Sequence, residues 1–124
     1  MKVVLNEAAF EHAKRLIRRG RYAADDRDAW TAHRSPIEVE NAFLVELGWE
    51  AYAVWCLGVD REEHHDVKQK YLFLYGDFED VHQCALLSAE SQARLYGHDE
   101  VARGARELAA MIDERIGARA QPSH

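Results

Sequence analysis

Glycine residues divide this chain into short segments in which apolar residues recur at helical spacing. The segment 6–20 is typical. Its apolar residues recur at steps of three and four between Asn6, a favourable N-cap, and Gly20, which favours the left-handed conformation that ends a helix. The stripe consists of Ala9, Phe10, Ala13, Leu16 and Ile17. A stripe of this kind buries one face of a helix, so the chain is expected to fold mainly as packed helices.

The same signals predict four further helices. Ser35-Pro36-Ile37-Glu38 is a capping box with proline at the first helical position, which is a strong helix start. The helix capped by Asp77 has apolar residues around more than half of its circumference, as expected of a central helix. The predicted helices lie between Asn6 and Gly20, between Ser35 and Gly48, from Glu50 to Leu57, between Asp77 and Gly97, and between Asp99 and Gly117.

Three stretches lack helical periodicity. Residues 21–34 are polar and turn-like, and the large side chains of Tyr22 and Trp30 are expected to attach them to the body of the protein. Residues 59–70 are charged and predict either a short helix or a solvated loop. Residues 71–75 are aromatic and apolar, and could form one short strand. Because a lone strand lacks a partner, a buried extended linker is the preferred interpretation unless a dimer supplies the pairing.

The length of 124 residues is that of one ordinary domain. We expect an all-α fold, a compact bundle of four to five helices with one aromatic-rich extended connection. The domain is expected to span residues 1–117. Residues 118–124 contain Pro122 and Ser123 and are predicted to be a disordered tail.

The charge balance argues against nucleic acid as a partner. The formal net charge is −6, whereas nucleic-acid binding draws most of its affinity from basic groups that neutralise phosphates. A basic cluster lies at the end of the first predicted helix, where cations complement the helix dipole. A solvated helix end explains this cluster, and a phosphate-bearing partner is the alternative. Its members are Lys14, Arg15, Arg18, Arg19 and Arg21.

The expected compartment is the cytoplasm. The two cysteines, Cys56 and Cys84, are too few for a disulfide framework. The N-terminus lacks the apolar run of a signal peptide. No stretch has the roughly 18 apolar residues that a membrane span requires. We therefore expect no contact with a membrane.

Short motifs lie between residues 41 and 98. They are Asn41-Ala42-Phe43, Trp55 with Leu57-Gly58-Val59-Asp60, Tyr75-Gly76-Asp77-Phe78 with Val81-His82, Ala89-Glu90 with Gln92-Ala93, and Tyr96-Gly97-His98. In these motifs the chain resembles a small family of uncharacterised bacterial proteins. The family pattern has His where this chain has Cys56 and a basic residue where it has Gln83, so a polar site built from those positions would be altered here. The resemblance implies one compact domain and no established activity.

His82 is the first candidate for chemistry. On a helix that starts at Phe78, it shares a face with Ala85 and Ala89, whose small side chains leave room for a ligand or for a second helix. It could be a general base or a metal ligand, with Glu90 and Asp77 as acid–base partners. The alternative is a core histidine that is hydrogen-bonded to a carboxylate or a carbonyl.

Two Glu-x-x-His pairs could hold metal ions. The spacings Glu62-x-x-His65 and Glu79-x-x-His82 match the pattern of di-metal helix bundles, in which both ligands lie on one helix face. With seven histidines and many glutamates, two matches are expected by chance. The sequence therefore predicts no metal and no cofactor.

The leading functional hypothesis is a non-catalytic binding or interaction module that forms a homodimer. It is favoured by many aromatic and apolar residues in a short chain without a nucleophile, phosphate-loop or dinucleotide motif. Aromatic residues could also line a pocket for a flat small-molecule ligand, and Trp55, Tyr75 and Tyr96 are the predicted contacts. The alternative is a small acid–base or metal-dependent enzyme with His82 at its centre. A solvent-connected pocket beside His82, with a carboxylate in hydrogen-bond reach, would favour the enzyme.

Overall fold

The computed structural model describes residues 1–120, and within them five α-helices pack with two small β-sheets. The fold is therefore α+β, and the expected all-α bundle is wrong. The elements are β1 (Val3–Leu5), α1 (Glu7–Arg18), β2 (Tyr22–Ala23), α2 (Trp30–His33), α3 (Ile37–Ala53), β3 (Cys56–Asp60), β4 (Tyr71–Leu74), β5 (Val81–His82), α4 (Gln83–Leu95) and α5 (Asp99–Ala120), with short 3₁₀ turns at Arg27–Ala29 and Lys68–Lys70.

The larger sheet has the strand order β1-β3-β4, and both pairings are antiparallel. Its central strand β3 replaces the end of the helix predicted from Glu50 to Leu57. The residues of β3 from Cys56 to Gly58 are consecutively buried, and a strand that is buried on both faces lacks the alternation that distinguishes it from a buried helix. β4 pairs with β3 of the same chain, so no dimer is needed for its hydrogen bonds.

The segment 77–82 is a turn and a strand instead of the first turns of a long helix. The Asp77 carboxylate accepts hydrogen bonds from the backbone N–H groups of Glu79 at 3.0 Å and Asp80 at 2.7 Å. An aspartate that binds its own backbone in this way stabilises a turn and competes with a helix. Phe78 within this turn has a φ of 70°. As a result α4 begins only at Gln83, and His82 is its N-cap residue.

The smaller sheet attaches segment 21–34 to the beginning of α4. β2 pairs in parallel with β5, with Tyr22 opposite Val81 and Ala23 opposite His82. The predicted loop therefore contains a strand, a 3₁₀ turn and the four-residue helix α2. Trp30 is partly buried and packs against the core, as its large side chain predicted.

Helix α3 bends at Gly48, whose φ of 86° and ψ of 176° interrupt the helical conformation. A boundary at Gly48 and a second helical segment from Glu50 were predicted, and α3 contains both, but it ends at Ala53 instead of Leu57. The predicted capping box does not form. Pro36 occupies the N-cap position, and among the described residues no side chain caps the first turn.

Helices α4 and α5 pack against each other and supply much of the core. α5 begins at Asp99, the residue predicted to cap it, and its buried stripe includes Ala105, Leu108 and Ile112. It continues to Ala120, so residues 118–120 of the expected tail are helical, and residues 121–124 lie outside the described part. Within residues 1–120, no helix combines the length and the apolar character needed to cross a membrane.

Candidate functional site

The His82 side chain lies between two carboxylates at the junction of β5 and α4. Its Nδ1 is 2.6 Å from Asp25 Oδ2, and its Nε2 is 2.9 Å from Asp77 Oδ2. The side chain is only 11% exposed. Both ring nitrogens are therefore engaged by carboxylates, and the ring is mostly buried.

Asp25 connects His82 to two further potential ligands. Its Oδ1 accepts the backbone N–H of Cys84 at 2.7 Å, and its Oδ2 lies 2.7 Å from His33 Nδ1. Cys84 Sγ is 3.8 Å from His33 Nδ1. Asp25, His33, His82 and Cys84 each contribute one donor atom, and these four atoms lie within 4.8 Å of one another. We call these four residues the His82 cluster.

The parallel pairing of β2 with β5 builds this cluster. Asp25 follows β2 by two residues, and the register that sets Ala23 opposite His82 brings the carboxylate to the imidazole. Helix α2 then returns the chain so that His33 reaches Asp25 and Cys84. Cys84 lies in the first turn of α4, where its N–H is available to Asp25 because the first helical N–H groups lack partners within the helix.

Hydrogen bonds set the charge states in the cluster. Burial raises the pKa of Asp25, but hydrogen bonds from Cys84, His82 and His33 outweigh it and lower the pKa to about 2. Burial lowers the pKa of His82, but Asp77 and Asp25 outweigh it, so the pKa is raised. Burial and the Asp25 carboxylate raise the pKa of the Cys84 thiol to about 12. Without a metal ion these directions favour an imidazolium between two carboxylates, beside a neutral thiol.

A solvent groove of about 560 Å³ borders the cluster on one side. His33 and Asp77 both line it, together with Phe43 and Phe78, whose rings stack with centroids 4.3 Å apart. The His33 side chain is 43% exposed. The cluster is therefore reached from solvent through His33 and Asp77, with His82 behind them.

Nothing among protein-family models, curated proteins and solved structures matches this chain. The resemblance to a bacterial family therefore stays a prediction, and a function has to be argued from the chain's own residues.

The structure brings together two of the three predicted catalytic residues. His82 and Asp77 are hydrogen-bonded. Glu90 lies two turns along α4 from the cluster, and its carboxylate accepts a hydrogen bond of 2.7 Å from Arg94 on the next turn. This ion pair between residues four apart on α4 occupies Glu90 away from His82.

The three predicted ligand-binding aromatics do not share a pocket. Trp55 and Tyr75 are buried in the core, with ring centroids 5.3 Å apart, and the Tyr75 hydroxyl donates to the Val54 carbonyl at 2.6 Å. Tyr96 is 70% exposed and borders a separate groove of about 400 Å³ with Phe73. These three residues are therefore not placed to contact one ligand together.

Neither Glu-x-x-His pair lies on a helix, although their spacing requires one. Glu62 and His65 are in an exposed loop, where Glu62 binds the N-terminal amine at 2.8 Å. Glu79 lies in the turn before β5. His82 is the only member of these pairs in the His82 cluster.

Sequence reasoning missed Asp25, His33 and Cys84. Asp25 belongs to a polar run that is typical of a turn, and His33 lies in a stretch without periodicity. The one available signal was His82-x-Cys84, two residues apart. On a helix those side chains diverge, and they converge here because His82 ends a strand and Cys84 begins a helix.

Proposed function

We propose that the protein binds one divalent transition-metal ion of the zinc class through Asp25, His33, His82 and Cys84. The observation that carries this proposal is the hydrogen bond between His82 Nε2 and Asp77. When an ion displaces the Nδ1 proton, the proton held on Nε2 by Asp77 stays in place, and the Nδ1 lone pair, on the nitrogen that faces Asp25, is available to the ion. A carboxylate behind a metal-binding histidine is the usual arrangement of protein zinc sites.

Asp25 is oriented in a comparable way. Its Oδ1 is occupied by the Cys84 N–H, which leaves Oδ2 facing both histidines. One thiolate, two imidazoles and one carboxylate are the donors that zinc prefers, whereas calcium and magnesium prefer oxygen donors alone. The donor chemistry therefore selects for a transition metal.

The four donor atoms would fit around a tetrahedral ion if the distances between some of them increased slightly. Metal–ligand bonds of about 2.0–2.3 Å in a tetrahedral zinc site separate neighbouring donors by roughly 3.3–3.8 Å. His33 Nδ1 and Cys84 Sγ already lie 3.8 Å apart. Asp25 Oδ2 is hydrogen-bonded to the two histidines at 2.6 and 2.7 Å, and an ion that replaces the protons would lengthen both contacts by roughly 0.6–0.9 Å.

General acid–base catalysis by His82 is less well supported. A general base needs a nitrogen that can accept a proton from a substrate, and both nitrogens of His82 face carboxylates. With four protein ligands the ion would have a structural role and hold segment 21–34 against α4. This proposal departs from the expectation that the protein binds no metal.

The test is titration of chelator-treated protein with Co²⁺ and Zn²⁺. We expect one ion per chain and a thiolate-to-cobalt charge-transfer band, which Zn²⁺ abolishes by displacement. Cys84→Ser should remove the band, and Cys56→Ser is the matched control because Cys56 is equally buried and lies outside the cluster. Asp77→Asn should weaken zinc binding by about 10–100-fold, since it removes the partner that orients His82.

Two results would contradict the proposal. One is the absence of stoichiometric binding at micromolar zinc. The other is a charge-transfer band that survives Cys84→Ser, because the ion would then be bound elsewhere.

Self-association is a second candidate function, and exposed apolar side chains on α3 favour it. Val45 is 87% exposed, and Ile37, Val39 and Leu47 are each close to half exposed or more. By their eight-residue spacing Ile37 and Val45 share one side of α3, and Val39 and Leu47 share another, and an exposed apolar patch can mark a protein–protein contact. Sedimentation at micromolar concentration should give a dimer that Val45→Glu dissociates, whereas a monomeric wild-type protein would exclude it.

A further inference from the structure

A second cavity, of about 490 Å³, lies between β4 and α4. Its volume is within the range of small-molecule sites. Aromatic side chains from Trp30 and Tyr52 form part of its wall, and on α4 the small side chains of Ala85 and Ala89 leave the space open. We call this space the α4 cavity. It combines apolar surface with a few polar groups, which is the usual composition of a ligand site.

Two cations line the α4 cavity. They are Arg34, which follows α2, and Lys68, in the 3₁₀ turn before β4. Both face the carboxylate of Glu40, which is only 2% exposed. Arg34 Nη2 lies 3.7 Å from Glu40 Oε2, and Lys68 Nζ lies 3.8 Å from Glu40 Oε1. Direct charge-assisted hydrogen bonds are about 2.7–2.9 Å long, so neither cation is bonded directly to Glu40.

The balance of charge leaves one positive charge in this region. Glu40 Oε1 already accepts the Tyr52 hydroxyl at 2.5 Å. Lys68 donates one hydrogen bond to Asn41. Arg34 also lines the cavity, and its planar guanidinium has five N–H donors to offer a ligand. One buried carboxylate therefore serves two cations, and a monoanion in the cavity would make the site neutral. A dianion would leave an excess negative charge beside the buried Glu40.

We propose that the α4 cavity binds a small aromatic carboxylate, with its carboxylate between Arg34 and Lys68. The aromatic body contacts Trp30 and Tyr52 and fills the space above Ala85 and Ala89. Arg34 supplies the paired donors that match a planar carboxylate, and Lys68 supplies a point charge. None of the proposed contacts is a metal ligand, and Trp30 adjoins the His82 cluster, with its ring centroid 5.8 Å from that of His82.

The experiment is calorimetric titration of the full chain with benzoate, phenylacetate and indole-3-acetate. Each acid is compared with its neutral amide, and inorganic phosphate is the control for simple anion binding. We expect at least one of the acids to bind, its amide to bind at least tenfold more weakly, and phosphate to bind more weakly than the acid. Arg34→Gln and Lys68→Gln should each weaken binding of that acid by about tenfold or more.

Lys70→Gln is the matched control, because Lys70 belongs to the same 3₁₀ turn and does not line the α4 cavity. Acid binding is measured on chelator-treated, zinc-free protein, so that Asp77→Asn, which should reduce zinc binding, is expected to leave acid binding unchanged. The proposal is overturned if none of the three acids binds at millimolar concentration, or if acid and amide bind equally. It is also overturned if Lys70→Gln weakens binding as much as Lys68→Gln.

Discussion

Asp25 Oδ2 lies 2.6 Å from His82 Nδ1, although 57 residues separate them in the chain. The strand pairing that brings them together has only two residue pairs, and a two-stranded sheet of this size has little stability of its own. The polar contacts of the His82 cluster therefore contribute to holding segment 21–34 on α4. An ion at the cluster would strengthen the same attachment.

Zinc should raise the thermal stability of the protein. An ion that binds only the folded state adds about 2.7 kcal/mol when its free concentration is 100 times its Kd. For a domain of this size that corresponds to a Tm increase of roughly 10 °C. Circular dichroism melts with zinc and with chelator measure the change. His65→Asn should retain the increase and Cys84→Ser should lose it, whereas an equal Tm in both wild-type samples would contradict the proposed site.

Gly76→Ala should destabilise the protein by about 1–3 kcal/mol, the usual cost of an overpacked core. A β-carbon on Gly76 would lie 2.5 Å from the Trp55 ring and would collide with the Asp80 carbonyl. Gly117→Ala is the control, because no described atom lies within 4 Å of its added β-carbon. Alanine favours a helix over glycine, so this control should gain about 0.5 kcal/mol. Urea unfolding measures the stability of both variants, and similar changes in the free energy of unfolding would contradict the prediction.

The helices that could be predicted from the sequence are those with a complete local pattern. α1 and α5 each combine a polar N-cap candidate with an apolar stripe. α1 begins directly after Asn6 as expected, and α5 begins at Asp99, within one residue of its predicted start. These signals lie within one turn of the residues they organise. α4 shows the limit of such signals. Asp77 is a good cap by composition, but its carboxylate caps a tight turn, and the helix begins six residues later.

The sheets and the His82 cluster depend on contacts between distant segments. β3 is distinguished from a helix only by its pairing with β1 and β4. Asp25 and His33 become neighbours of His82 only through the β2–β5 register. Local propensity contains no information about a partner that lies tens of residues away, so His82 and Asp77 could be selected and the other three residues could not.

Tyr52→Phe should destabilise the protein by about 1–3 kcal/mol, because it removes a hydroxyl donor from a buried carboxylate. The Tyr52 hydroxyl donates to Glu40 Oε1, and both residues are buried. Tyr71→Phe removes a comparable hydrogen bond to Asp66 at the exposed surface, and it should cost less than about 0.5 kcal/mol. Denaturant unfolding of both variants checks the difference, and equal losses would show that the buried hydroxyl contributes no more than the exposed one.

His12 should make the protein less stable as the pH falls below neutrality. Its Nδ1 is 2.8 Å from the Tyr75 hydroxyl and its ring packs edge-on to Trp55. Burial, with a contribution from Arg15, lowers its pKa from the ordinary value of 6.5. Between the folded pKa and 6.5 the unfolded chain binds more protons than the folded protein, so unfolding becomes more favourable as the pH decreases.

The measurement is urea unfolding of the wild type and His12→Gln at pH values from 8 to 5. The stability of the wild type relative to the variant should decrease as the pH falls through 6.5, by no more than about 1.4 kcal/mol per pH unit for one proton. Comparison with the variant cancels the opposite contribution of His82, whose raised pKa favours the folded state at lower pH. The free energy of unfolding of the wild type minus that of the variant could instead be constant with pH, or increase as the pH falls. Either result would show that His12 does not lose proton affinity on folding.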